Sequence, residues 1–225
     1  MRLYLSSYRL GENVGALLAL VGNGARAAII SNALDYIPAS ARQAYRTQVS
    51  DPIADFAALG IEAHDLDLKD YFGAPSGLET ALKDVDLVWA MGGNTFILRR
   101  AMAQSGFDTV IAERLADDSI VYGGFSAGAV VATPSLSGIE LIDDPNEIPA
   151  GYDPAVVWDG LGLIDYAIVP HFDSPHPESV AARRVANQLA RRKTPFRVLR
   201  DGEVIVHIGQ ISNSRDIGTA KELAL

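Results

Sequence analysis

Cysteine is absent from this sequence of 225 residues. Its absence excludes disulfide bonds, cysteine-ligated zinc, iron–sulfur clusters and a thiol nucleophile. Any nucleophile in the protein must therefore be an oxygen or an amine.

Basic residues and long apolar runs are also scarce. The sequence has 19 Lys and Arg against 28 Asp and Glu, a formal net charge of -9. Nucleic-acid binding depends on Lys and Arg that neutralise phosphates, so we predict no nucleic-acid partner. No apolar run approaches the roughly 18 residues of a membrane span, and we predict no membrane partner. The apolar segment 16–21 is interpreted as the end of a helix between two strands, not as a signal peptide, which predicts a cytoplasmic protein.

The length and the composition of the sequence predict one globular α/β domain covering 1–225. Hydrophobic residues make up 48% of the chain, enough for a sizeable core. Short apolar runs alternate with longer helical patterns, and segment 87–91 is apolar on both faces, as in a sheet that is covered on both sides. We therefore predict a doubly wound, mostly parallel sheet with helices on both faces.

The predicted element bounds follow from the same patterns. Strands are expected at 2–6, 26–31, 61–65, 87–91, 120–124, 166–169, 197–199 and 204–208. Helices are expected at 13–20, 39–59, 95–103, 107–116, 126–132 and 178–192. Segment 133–162 contains four prolines and no clear period, which predicts loop and short turns beside the active site.

A Gly-x-Ser-x-Gly motif centred on Ser126 joins a predicted strand to a predicted helix. In a nucleophile elbow the serine lies on a strained turn between such elements, and its neighbours must be small. The N–H of Ala127, at the start of the helix, would point toward developing negative charge. The motif predicts a nucleophilic Ser126, and its alternative interpretation is a tight structural turn.

A second glycine turn, Gly92-Gly93-Asn94-Thr95, also follows an apolar strand and begins a helix. Glycines allow a ligand to approach the backbone, and the N–H of Gly92 or Gly93 could complete an oxyanion hole. We also expect Asn94 and Thr95 to contact substrate. The alternative is a simple helix N-cap at Asn94 or Thr95. The Gly-Lys-Ser/Thr of a P-loop is missing, which argues against nucleotide binding.

A nucleophilic serine needs a base, and the sequence has four histidines. His171 follows the predicted strand 166–169, so we expect it at a carboxyl edge, where sites of α/β sheets form. The other three, His64, His176 and His207, are less well positioned. A structural histidine that ends a strand is the alternative for His171.

An acid that orients the histidine would complete a triad. Asp201 lies in a turn between two late predicted strands, although Asp-Gly is equally typical of a hairpin. Glu140 and Asp173 remain the alternatives.

These motifs together resemble the peptidase E (aspartyl dipeptidase) family, serine peptidases with a class I glutamine amidotransferase-like fold. The matching segments are 92–96, 124–129, 144–146, 170–172 and the region of Asp201-Gly202, in family order. The resemblance implies Ser126 as nucleophile, His171 as base, an oxyanion hole from Gly93 or Gly92 with Ala127, and an acid at Asp201. The order Ser, His, acid differs from that of α/β-hydrolases. Amidotransferases of this fold have cysteine where this chain has serine.

The resemblance also implies hydrolysis of short peptides, including dipeptides that begin with aspartate. The family arginine that binds the aspartate corresponds to Ala181 here, with Arg183 and Arg184 close by, and we expect those two arginines to bind substrate. The segment 137–140 departs from the family pattern as well.

Three functions are consistent with these motifs. The first is a serine peptidase, a monomer or homodimer, whose mechanism requires no metal ion and no organic cofactor. The second is an esterase or amide hydrolase that uses the same serine on a non-peptide substrate. The third is a non-catalytic binding module.

Overall fold

The protein contains a six-stranded sheet, a two-stranded sheet and eight helices among the residues that the structure, a computed structural model, describes: 1–48 and 51–209. The strands are β1 (Arg2–Ser6), β2 (Arg26–Ile30), β3 (Glu62–Asp65), β4 (Leu87–Ala90), β5 (Val121–Phe125), β6 (Ala167–Val169), β7 (Phe196–Val198) and β8 (Val204–Ile208). The helices are α1 (Val14–Val21), α2 (Ala39–Gln48), α3 (Pro52–Ala58), α4 (Pro75–Leu82), α5 (Thr95–Ser105), α6 (Phe107–Ala116), α7 (Ala127–Val130) and α8 (Ser179–Arg192).

The large sheet is mostly parallel. Its strand order is β3-β2-β4-β5-β1-β8, and β8 alone among these strands runs antiparallel to its neighbour, β1. The carboxyl ends of β1, β4 and β5 therefore meet at one edge, the edge where open α/β sheets bind their ligands.

Both faces of the sheet are covered by helices. Side chains alternate along β1: Leu3 and Leu5 belong to a core with residues of α5 and α6, while Tyr4 belongs to a second core with residues of α1 and α3. All four residues of β4 are buried, as its apolar sequence indicates. The predicted α/β fold with a mostly parallel sheet and helices on both faces is confirmed.

Some predicted bounds are wrong. The single helix expected over 39–59 is two helices, because Asp51 caps α3 by accepting hydrogen bonds from the N–H groups of Ile53 and Ala54, and Pro52 occupies its first turn. Helix α4 was not predicted, although Leu78 and Leu82, four residues apart, form its buried face. Helix α7 covers only 127–130 of the predicted 126–132. Segment 133–162 has one short 3-10 turn, Ile139–Leu141.

The late strands do not form a hairpin. Strand β7 pairs in parallel with β6 in the separate two-stranded sheet, while β8 joins the large sheet beside β1. Asp201 therefore lies on a connection between two sheets. His171 lies just after a strand, as predicted, and that strand, β6, belongs to the small sheet. Among the described residues, no helix has the length and apolar character needed to cross a membrane.

Candidate active site

Ser126 lies on a sharp turn between β5 and α7. Its φ of 48° and ψ of −115° are unusual for a residue with a side chain. Strand β4 forces the flanking residues to be small: a Cβ added to Gly128 would lie 2.1 Å from the Ala90 carbonyl oxygen, and one on Gly124 would lie 2.8 Å from it. This is the steric reason for both glycines of the motif. Because α7 is a single turn, the helix dipole contributes little here, and the local N–H of Ala127 becomes the relevant donor.

His171 lies between Ser126 and Asp201. Its Nε2 is 3.0 Å from Ser126 Oγ, and its Nδ1 is 2.7 Å from Asp201 Oδ1. The imidazole is buried, with only 1% of the residue exposed. The structure thus brings together the residues predicted as nucleophile, base and acid. His171 is hydrogen-bonded to Ser126 through one ring nitrogen and to Asp201 through the other.

Ser7 also belongs to this arrangement, although no sequence motif indicates it. Its buried hydroxyl lies 2.9 Å from Asp201 Oδ1 and accepts a 2.8 Å hydrogen bond from the N–H of His171. The N–H of Asp201 donates to Ser174 Oγ at 2.8 Å. One signal was available: Ser7 immediately follows β1, at the carboxyl edge of the sheet. These bonds fix both the backbone of His171 and the carboxylate beside its ring.

The two alternative acids have other partners. A carboxylate oxygen of Glu140 accepts a hydrogen bond from the N–H of Gly138 at 2.6 Å. The carboxylate of Asp173 accepts one from Nε of Arg183, also at 2.6 Å. Of the three candidates, only Asp201 hydrogen-bonds to His171.

The glycine turn after β4 lies directly beside Ser126. A Cβ on Gly92 would lie 3.1 Å from Ser126 Cβ and 2.7 Å from the Phe125 ring. Gly93 has a φ of 137°, and a Cβ there would lie 2.5 Å from the Ala33 carbonyl oxygen. Neither turn residue can therefore carry a side chain. Within the described chain, the N–H groups of Gly93 and Ala127 donate no hydrogen bond, which leaves them available to a ligand.

Asn94 and Thr95 are used inside the protein. The Asn94 side chain caps α5, since its Oδ1 accepts hydrogen bonds from the N–H groups of Phe96 and Ile97. Its Nδ2 donates to the Asp144 carbonyl oxygen at 2.9 Å, and the N–H of Thr95 donates to Asp143 Oδ2 at 2.9 Å. The N-cap interpretation is therefore correct for Asn94. A contact of Asn94 or Thr95 with substrate stays a prediction.

Arg183 and Arg184 lie on the exposed side of α8. Arg183 has 62% of its side chain exposed and is paired with Asp173. Neither arginine is among the residues that line the pocket at Ser126. Among the described residues, Arg183 and Arg184 therefore do not supply the positive charge expected at the nucleophile.

A pocket of about 180 Å³ opens over Ser126. Its lining residues are Tyr8, Leu34, Tyr36, Ile37, Gly92, Gly93, Phe125, Ser126, His171, His176 and Glu178. The ring of His176 stacks on that of His171, with centroids 3.7 Å apart and planes at 9°, and Tyr8 meets both rings edge-on. His176 therefore covers one face of the His171 ring, while the hydrogen bonds to Asp201 and Ser126 are made by the ring nitrogens at its edge.

Burial controls the ionisation of the pocket. It lowers the pKa of His171 below the usual value, and the neighbouring His176 lowers it further, while the hydrogen bond and charge of Asp201 act in the opposite direction. The neutral imidazole that a general base requires is therefore favoured. Burial raises the pKa of Glu178 to about 7, with contributions from the charges of Asp143 and Asp201.

Ligand atoms of His171, His176 and Glu178 lie within 4.8 Å of one another, a spacing that a metal ion could span. An imidazole nitrogen binds a metal in the plane of its ring. Two rings stacked 3.7 Å apart with parallel planes cannot both do so around one ion without turning. The observed arrangement instead suits two neutral imidazoles in van der Waals contact.

Comparisons with known proteins give the family of this chain. The sequence profile of peptidase family S51 matches residues 19–213. An uncharacterized peptidase of Listeria innocua is 29% identical over 110 residues, 49% of this chain and 50% of that protein. A probable alpha-aspartyl dipeptidase of Drosophila melanogaster is 30% identical over 129 residues, 55% of this chain and 50% of that protein. The chain thus spans about half the length of these two relatives.

The fold has a solved counterpart. A Listeria monocytogenes protein, provisionally named a peptidase E in its crystal structure, superposes with a TM-score of 0.73 over 99% of this chain and 98% of that one, at 21% identity. At that identity the likeness concerns the fold alone. The matched range, 19–213, covers most of the chain, and Ser126, His171 and Asp201 fall within that range. This chain belongs to peptidase family S51, the peptidase E family.

Proposed function

We propose that this chain is a serine peptidase that hydrolyses short peptides, with Ser126 as nucleophile. The observation that carries the proposal is the hydrogen-bond series from Ser126 Oγ through both ring nitrogens of His171 to Asp201, at 3.0 and 2.7 Å. This is the arrangement by which a serine is activated and its base is held in the productive tautomer.

The reaction begins when Ser126 Oγ attacks the scissile carbonyl carbon. His171 Nε2 takes the hydroxyl proton, and the carbonyl oxygen becomes an oxyanion. His171 then gives that proton to the leaving amine as the C–N bond breaks, which leaves an acyl-enzyme. Water attacks the acyl-enzyme with His171 again as base, so the acid product leaves and Ser126 regains its proton.

The oxyanion would bind to backbone N–H groups. Those of Gly93 and Ala127 have no acceptor in the described chain. Ala127 follows Ser126 in sequence, and Gly92 and Gly93 line the same pocket as Ser126. Fixed donors of this kind stabilise the transition state more than the substrate, because the charge develops only there.

The test is a panel of X-Leu dipeptides with every X, assayed with the wild type and with Ser126→Ala. We expect the variant to lose activity by about 10⁴-fold or more, together with labelling by a fluorophosphonate probe. A folded Ser126→Ala protein that still cleaves the panel would refute the nucleophile. Labelling and p-nitrophenyl ester turnover without dipeptide cleavage would favour an esterase.

Preference for an N-terminal aspartate is a separate proposal, which the Asp-Leu member of the panel tests. It requires a cation at the pocket, and the described lining contains no lysine or arginine. If Asp-Leu is the best substrate, Arg183→Ala should reduce its kcat/KM and spare the other dipeptides. An unchanged Asp-Leu rate in that variant would exclude Arg183 from substrate binding.

A further inference from the structure

Glu178 is an acid at the mouth of the candidate active site that the proposed reaction leaves unused. It immediately precedes α8, and one of its carboxylate oxygens lies 3.8 Å from His171 Nε2, the nitrogen that faces Ser126. Its side chain is 41% exposed, so it borders the pocket and is open to a ligand.

The surroundings of Glu178 are negative. Asp143 and Asp201 act on its carboxyl group as like charges, and within the described chain no lysine or arginine forms an ion pair with it. The nearest arginine in sequence that pairs with an acid, Arg183, uses Asp173. The described residues around Glu178 therefore provide no positive charge to pair with it, and a positively charged group of the substrate could fill that role.

The position of Glu178 next to the catalytic imidazole decides which substrate cation fits. In a peptide cleaved after its first residue, a single carbon atom separates the α-ammonium from the scissile carbonyl carbon. The ammonium of a lysine side chain lies several bonds further away. A carboxylate within 4 Å of the nitrogen that serves the nucleophile suits the nearer cation.

We infer that Glu178 binds the α-ammonium group of the substrate's first residue and so places the first peptide bond at Ser126. The inference rests on the proposed peptidase function. Glu178 would act as a substrate-binding residue, while proton transfer stays with His171. The ammonium would also relieve the repulsion among Glu178, Asp143 and Asp201, which favours the ionised carboxylate once substrate is bound.

The experiment compares the best X-Leu substrate of the panel with its des-amino analogue, in which hydrogen replaces the ammonium group. The variants are Glu178→Gln, which keeps the shape of the side chain, and Glu113→Gln, which removes the same charge from an exposed position on α6. Loss of a hydrogen bond between charged groups corresponds to about 10- to 100-fold in kcat/KM. We expect Glu178→Gln to lose that much toward X-Leu, mainly through KM, and to retain its rate toward the des-amino analogue.

Two results would overturn the inference. One is an equal loss toward both substrates, which would make Glu178 a residue that positions His171. The other is an unchanged rate toward X-Leu. In either case wild-type labelling of Ser126 by the fluorophosphonate probe and cleavage of X-Leu would leave the proposed function intact. Failure of the proposed function has a different signature, in which wild type and Ser126→Ala are equally inactive toward every dipeptide.

Discussion

Ser126 and His171 both have positive φ, at 48° and 59°, which is costly for residues with side chains. The end of β1 holds both in place. The N–H of Ser126 donates to the Ser6 carbonyl oxygen at 3.2 Å, and the N–H of His171 donates to Ser7 Oγ at 2.8 Å. Two adjacent residues thus hold the nucleophile and its base in the conformations that align Oγ with Nε2.

Asp201→Asn tests the role of the acid. We expect kcat to fall by about 10⁴-fold, because an amide at this position favours the wrong tautomer of His171 while the fold stays intact. Asp173→Asn is the matched control, since Asp173 pairs with Arg183 and was an alternative acid. Steady-state rates and fluorophosphonate labelling of both variants give the comparison. Equal losses in the two variants would remove Asp201 from its assigned role.

The sequence identifies residues that carry a local motif and misses residues whose role depends on distant neighbours. Ser126 was found from its flanking glycines, and His171 from its place after a strand. Ser7 has no distinguishing neighbours, and its contacts lie 164 and 194 positions away. Glu178 was predicted only as the start of a helix, because its approach to His171 depends on how the loop before α8 folds.

At the scale of elements, strand β4 packs against the turn that carries Ser126 and limits the size of the residues on either side of it. The Ala90 carbonyl oxygen occupies the space where side chains on Gly124 and Gly128 would go, and the α7 turn packs against β4. The glycine turn that follows β4 then passes beside Ser126. One strand therefore determines both the close packing of the elbow and the path of the proposed oxyanion donors.

Gly128→Ala tests this packing. A Cβ only 2.1 Å from a backbone oxygen cannot be relieved by turning a side chain, so we expect the free energy of unfolding to fall by about 3 kcal/mol. Labelling at Ser126 should slow as the elbow shifts. Gly15→Ala is the control, because that helical position has no atom within 4 Å, and it should gain roughly 0.5–1 kcal/mol. Urea unfolding of both variants measures the difference, and a neutral Gly128→Ala would contradict the argument.

The predicted helices and strands are wrong where a helix cap or the pairing of strands determines the structure. Apolar residues in 39–59 have a helical pattern, yet Asp51 and Pro52 begin a new helix there. The short strands β6 and β7 were found, but three-residue strands give no information about which sheet they join. The central strands were predicted well, because full burial on both faces requires continuous apolar sequence.

At the scale of the whole molecule, the long segment between α7 and β6 is attached to the core through α5. Arg100, 1% exposed, donates from its guanidinium to the carbonyl oxygens of Pro145 at 2.7 Å and Ala155 at 3.0 Å. Asn94, at the start of the same helix, donates to the Asp144 carbonyl oxygen. Helix α5, which follows the glycine turn of the site, thus also holds the segment between α7 and β6.

Arg100→Met tests how much this attachment contributes. Methionine fills much of the same space but leaves the partly buried carbonyl oxygens of Pro145 and Ala155 without this donor, each at a cost of about 1–3 kcal/mol. We expect the free energy of unfolding in urea to fall by about 3 kcal/mol. Arg191→Met, at an exposed position in the last turn of α8, should change it by less than about 1 kcal/mol. If the two substitutions cost the same, the carbonyl oxygens around Arg100 must find other donors, and the segment must be held by its apolar contacts instead.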